Sequence, residues 1–60
     1  MLPTFFHVTG VDTEQYKINP QFVAAVYGKT LEKITVIVLS GGKQIETKLS
    51  IDEVMKLING

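Results

Sequence analysis

Two short strings are the first candidates for chemistry, Tyr27-Gly28-Lys29-Thr30 and Ser40-Gly41-Gly42-Lys43. A glycine beside a lysine can cradle phosphate when the loop opens onto a helix N-terminus. The full phosphate-loop spacing asks for a glycine five residues before Gly28, and Val23 stands there. The apolar run "ITVIVL", not a helix pattern, follows the first string, and "SGGK" also lacks a following helix. Both strings are better read as chain reversals. His7 has no second histidine to help it hold a metal, and no cysteine is present to build a thiolate site or a disulfide. No serine or threonine lies in a nucleophile-elbow context, and Asp52 and Glu53 are explained as helix-capping residues. The expectation is a chain without catalytic, cofactor-binding or metal-ligating residues.

Four lysines could serve another purpose. Lys29, Lys33, Lys43 and Lys48 fall within one central stretch, faced only by Glu32 and Glu46. With Tyr27 nearby they could form a small single-stranded nucleic-acid surface. Against this, six lysines balance six carboxylates and arginine is absent, so phosphate-neutralising forks are missing. Solvated lysines that protect sheet edges are the preferred reading.

Sixty residues allow one domain, residues 1–60, with a thin core. A hydrophobic fraction of 45% against 20% charged residues fits a folded chain. Without disulfides or metal, association with a partner is the remaining way to stabilise so small a core, and zero net charge favours self-association. Neither a signal peptide nor a membrane-spanning stretch is apparent, so the expected location is cytoplasmic.

The elements follow from local pattern. Leu2 to Thr9 is aromatic and β-branched, a strand; Gly10 to Glu14 has loop composition; Gln15 to Ile18 alternates. Asn19-Pro20 breaks the chain or caps a helical turn. Gln21 to Tyr27 fits either helix or strand; strand is preferred, and its two apolar faces then call for burial on both sides or an interface. Gly28 to Lys33 reads as a loop, Ile34 to Ser40 as the clearest strand, and Lys43 to Leu49 as its hairpin partner. "SIDE" at Ser50 is a capping box, and Ile51, Val54, Met55 and Ile58 form a helical apolar stripe ended by Asn59-Gly60. The expected fold is α+β: an antiparallel β-sheet of four or five strands, a meander or partly closed barrel, with one C-terminal helix.

If Gly41-Gly42 is a two-residue primed turn, Val38 faces Ile45, Val36 faces Thr47 and Ile34 faces Leu49 on the core side. Ile37 and Leu39 then stand on the opposite face without apolar cross-strand partners. Either the N-terminal Phe5-Phe6 strand wraps round into a small barrel to cover them, or a second copy of the chain does; Phe5, Phe6, Tyr27, Ile37 and Leu39 are nominated as an interaction surface, for a dimer or another protein.

The strings "INPQFVAAV" and "TVIVLSGGKQIETKLSIDEVMKLI" resemble the FlbD/SwrD-type flagellar and swarming-motility proteins and related small proteins of Gram-positive bacteria and their phages. The matching positions are Asn19, Val26, Thr35, Ile37, Leu39, Gly42, Lys43, Ser50, Glu53, Val54 and Ile58, within roughly residues 15–58. The start departs, since "TGVDTE" stands where that family has a Leu-Asn-Gly turn. The resemblance implies an accessory, non-catalytic protein-binding or regulatory module.

Overall fold

In a computed structural model that describes residues 4–60, five short strands precede one helix. They are β1 (Phe6–Thr9), β2 (Gln15–Ile18), β3 (Val23–Lys29), β4 (Ile34–Leu39) and β5 (Gln44–Thr47), followed by α1 (Ile51–Asn59). The fold is α+β, as the alternation and the capping box imply, but the strands form two antiparallel sheets rather than one: β1–β2, and the meander β3–β4–β5. A single bridge, Gly10 with Thr47, ties the hairpin to the free side of β5.

Each element has a local cause. In β1, Phe6 and Val8 point inward while His7 and Thr9 point out, the two-residue period of a half-buried strand. Of the residues expected to begin that strand, Leu2 and Pro3 lie outside the described residues, and Thr4 and Phe5 precede it. Asn19 and Pro20 act as both of their sequence signals suggest. Asn19 ends the extended run, and its side chain accepts a hydrogen bond from the Gln21 amide at 3.0 Å, capping a single 3-10 turn over Pro20–Phe22. The segment after this turn is a strand and not a helix, and it runs through Gly28 and Lys29, where a loop was expected. In α1 both halves of the capping box form: Ser50 Oγ accepts from the Glu53 amide at 3.1 Å, and Glu53 Oε1 accepts from the Ser50 amide at 3.0 Å.

The β4–β5 register departs from the expected one. Leu39 closes the reversal from both sides: its carbonyl accepts from the Gly42 amide at 3.0 Å and its amide donates to the Lys43 carbonyl at 2.8 Å. The loop is therefore the three residues Ser40, Gly41 and Gly42, with both glycines at φ +96°. An odd loop slides the pairing by one residue; Ile45 and Thr47 keep the core side expected of them, and their β4 partners become Ile37 and Thr35 in place of Val38 and Val36. Thr35 now faces Thr47, Val36 faces Glu46, and Ile37 faces Ile45.

The core lies between the two sheets and under the helix. Phe6, Val8, Ile18, Ile37, Ile45 and Val54 form it, with Tyr16, Val26, Leu39, Leu49 and Ile58 packed around them. Only part of the expected helical stripe is used: Val54 is buried and Ile58 half-buried, while Ile51 and Met55 stay exposed. Gly28 lets α1 approach β3, since a β-carbon there would meet Ile51 Cδ1 at 3.2 Å.

Candidate interaction site

The five residues nominated for a contact surface do not share one. Ile37 is 0% exposed at the centre of the core, and Phe6 is buried beside it; neither is available to a partner. Leu39 packs against the same cluster. The cause is the one-residue slip of the hairpin, which turns the Ile37 and Leu39 face inward and gives Ile37 the apolar partner Ile45. Phe5 and Tyr27 do stand exposed, but apart: Phe5 just precedes β1 and Tyr27 lies in β3 of the other sheet. The Phe5 ring lies beneath Lys17, with Nζ 5.6 Å from its centroid. Tyr27 shares a row with Val36 and Glu46 on the outer face of the three-stranded sheet.

A different grouping emerges around β3. Among the described residues this strand pairs with β4 on one side only, so alternate N–H and C=O groups on its other side lack a strand partner there. Exposed apolar side chains gather along it: Phe22 (57% exposed) just before it, Tyr27 within it and Leu31 (100% exposed) just after it. Ile51 and Met55, also exposed, come from the helix beside it. Between strand and helix runs a groove of about 370 Å³ lined by Val23, Ala24, Ala25, Val26, Met55 and Ile58. A bulge at Val23–Ala25 interrupts the pairing with β4 there.

Charge would normally guard such an edge. The one charged residue of β3, Lys29, is already engaged: its Nζ lies 2.7 Å from Glu46 Oε2 across the outer face, and 3.9 Å from Glu32. The hydrogen bond to Glu46, reinforced by that carboxylate's charge, raises the lysine above its ordinary pKa. The edge is therefore apolar and electrically quiet.

The lysines divide by position. Lys29, Lys33 and Lys48 line one shallow groove at the foot of α1, and Lys43 lies at the other end of the sheet, 6.0 Å from the Tyr16 ring centroid. The first amides of α1 in that groove are occupied by the capping box, and Lys29 by Glu46. Among the described residues, no three of His, Cys, Asp and Glu gather as metal ligands, and every buried side-chain N or O atom has a hydrogen-bond partner. No described helix is long and apolar enough to cross a membrane.

The site thus belongs to a small α+β domain with one unsealed strand edge flanked by a helix. Set against protein-family models, curated proteins and solved structures, the chain matches none of them.

The signal for the β3 edge was present in the string "QFVAAVY", apolar on both faces, which asks for an interface. Leu31 carried no such signal, because its exposure depends on the position of the β3–β4 turn.

Proposed function

We propose that this protein is a non-catalytic interaction module that self-associates through the open edge of β3. The observation that carries the reading is a seven-residue edge strand whose single charge is neutralised internally by Glu46. Two copies would pair β3 with β3 antiparallel about a two-fold axis, the arrangement in which one surface serves both subunits. Phe22, Tyr27, Ile51 and Met55 would flank that joint, and zero net charge leaves little long-range repulsion to oppose it. The resemblance to the FlbD/SwrD-type proteins, whose role is accessory, points in the same direction. Binding of single-stranded nucleic acid by Lys29, Lys33, Lys43 and Lys48 is the weaker reading, because Lys29 is paired and Lys43 lies apart from the others.

Sedimentation velocity tests the proposal. The unmodified chain sediments as a dimer at tens to hundreds of micromolar. Ala25→Lys, a charge on an exposed edge position, yields a monomer with the same far-UV circular dichroism. A native chain that stays monomeric at millimolar concentration overturns the reading. So does an Ala25→Lys variant that dimerises as well as the parent.

A further inference from the structure

Beyond the Gly10–Thr47 bridge the two chain segments part: β1 continues with β2, while Lys48 and Leu49 lead into α1. The wedge between them is a cleft of about 620 Å³, in the size range of ordinary ligand pockets. Val11, Leu49 and Leu57 supply apolar lining, and His7, Thr9 and Lys48 supply polar groups. Among the described residues no carboxylate lines the cleft, and neither Lys48 nor His7 takes part in an ion pair.

The backbone adds a second feature. Gly10 N–H donates to the Glu14 carbonyl at 2.8 Å, which makes this a hydrogen-bonded pair of the hairpin. By alternation, Val8 and Phe6 also bond to β2, and His7 and Thr9 turn their N–H and C=O groups to the other side, into the cleft. Thr9 obeys this: its carbonyl accepts from Thr47 Oγ1 at 3.0 Å. Among the described residues no backbone bond crosses the wedge at His7, so a short free strand edge borders an apolar cleft with a cationic rim.

We propose that this cleft binds the C-terminal end of an extended peptide. Its backbone pairs with the free edge of β1 at the His7 N–H and C=O and at the Thr9 N–H, the Thr9 carbonyl being held by Thr47. Its last, apolar side chain rests on Leu49 and Leu57, and its α-carboxylate meets Lys48 and His7. A fatty acid would satisfy the charge and the apolar lining but leave the strand edge unpaired. A phosphate would leave the apolar lining bare. The inference does not depend on self-association, since β3 and the cleft share no residue.

The test is an amide-resolved NMR titration of the full chain with N-acetyl-Thr-Val-Leu bearing a free carboxylate. Saturable shifts centred on His7, Thr9, Val11, Leu49 and Leu57 are expected. The C-terminal amide of the same peptide binds about tenfold more weakly, because a charge-assisted contact is lost. Lys48→Ala, an exposed position, weakens the free acid about fivefold or more and leaves the amide unchanged. Decanoate does not displace the peptide. Equal affinity for acid and amide, shifts elsewhere, or no shift at several millimolar peptide each overturns the proposal. Decanoate binding as tightly as the peptide overturns the strand pairing and with it the peptide as occupant.

Discussion

The three-stranded sheet has two outer edges, and they are treated differently. At β5 the edge is engaged: Gly10 bridges Thr47, the Val11 amide donates to the Glu46 carbonyl at 2.9 Å, and Thr47 Oγ1 donates to the Thr9 carbonyl. The hairpin loop beside that closure favours a residue without a side chain, because a β-carbon on Gly10 would come within 2.5 Å of Asp12 Oδ1 and 2.9 Å of the Tyr16 ring. At β3 no such strand partner exists among the described residues, and the element beside it is the helix, which Gly28 lets come close at Ile51. The contrast separates two uses of the same strand chemistry. One edge stabilises the monomer by joining its two sheets, and the other is left for something outside it.

The largest change should come from the strand common to both edges. Ile37→Ala removes a fully buried side chain from the centre of the core and is expected to cost about 2–4 kcal/mol in chemical denaturation. Amide protection should then fall on both edges together; a loss confined to one would mean the sheets do not share a core. Thr47→Val is smaller and sharpens the comparison. It keeps the shape but removes the donor to Thr9 and the acceptor for the Leu49 amide at 3.3 Å, at an expected cost of about 1–3 kcal/mol. Hydrogen exchange should accelerate at Val11 and Leu49 well before it does in β3. Uniform acceleration would show that the β5 edge is held by packing alone.

These expectations rest on a register that could not be read from residue types. The strand character of Ile34–Leu39 and the capping box were legible, because both depend on neighbours in sequence: β-branched side chains in the first case, a serine three residues before a glutamate in the second. The pairing of β4 with β5 depended on whether Gly41-Gly42 or Ser40-Gly41-Gly42 forms the loop. Glycine tolerates positive φ equally in either, so the local string allows both. What decides between them is long-range: the slipped register places Ile37 and Ile45 against Phe6, Val8 and Val54, and lets Thr47 reach Thr9. Of the surface nominated from the two-residue loop, Ile37 and Phe6 go to the core instead, where Phe6 of β1 packs in the same cluster as Ile37 and so supplies the first of the two expected covers. The ambiguity of Gln21–Tyr27 was real, since a capped 3-10 turn and a strand share the segment, and its two apolar faces were the legible trace of the open edge.

The smallest expected effect separates the two sides by acid. Asp12, in the loop of the hairpin that closes β5, lies below its usual 3.8, chiefly because the Tyr16 hydroxyl donates to it at 2.6 Å. Glu53, on the helix beside β3, lies below its usual 4.5, chiefly because the Ser50 amide donates to its carboxylate. A carboxyl with a lowered folded-state pKa stabilises the protein fully above its unfolded value, and that contribution disappears as pH falls through the folded value. Thermal stability should therefore hold near pH 6 and decline below about 4.5, as the weaker of the two acids in the unfolded chain begins to take up its proton. Both groups are exposed, so the decline is shallow and further flattened by salt. Glu53→Gln keeps an acceptor for the Ser50 amide and should remove the upper part of the decline, with exchange in α1 becoming insensitive to pH. Asp12→Asn should remove the lower part and act on the β1–β2 loop instead. If either substitution flattens the whole profile, one side of the molecule carries all of the acid sensitivity, and the two edges are coupled more tightly than a single backbone bridge implies.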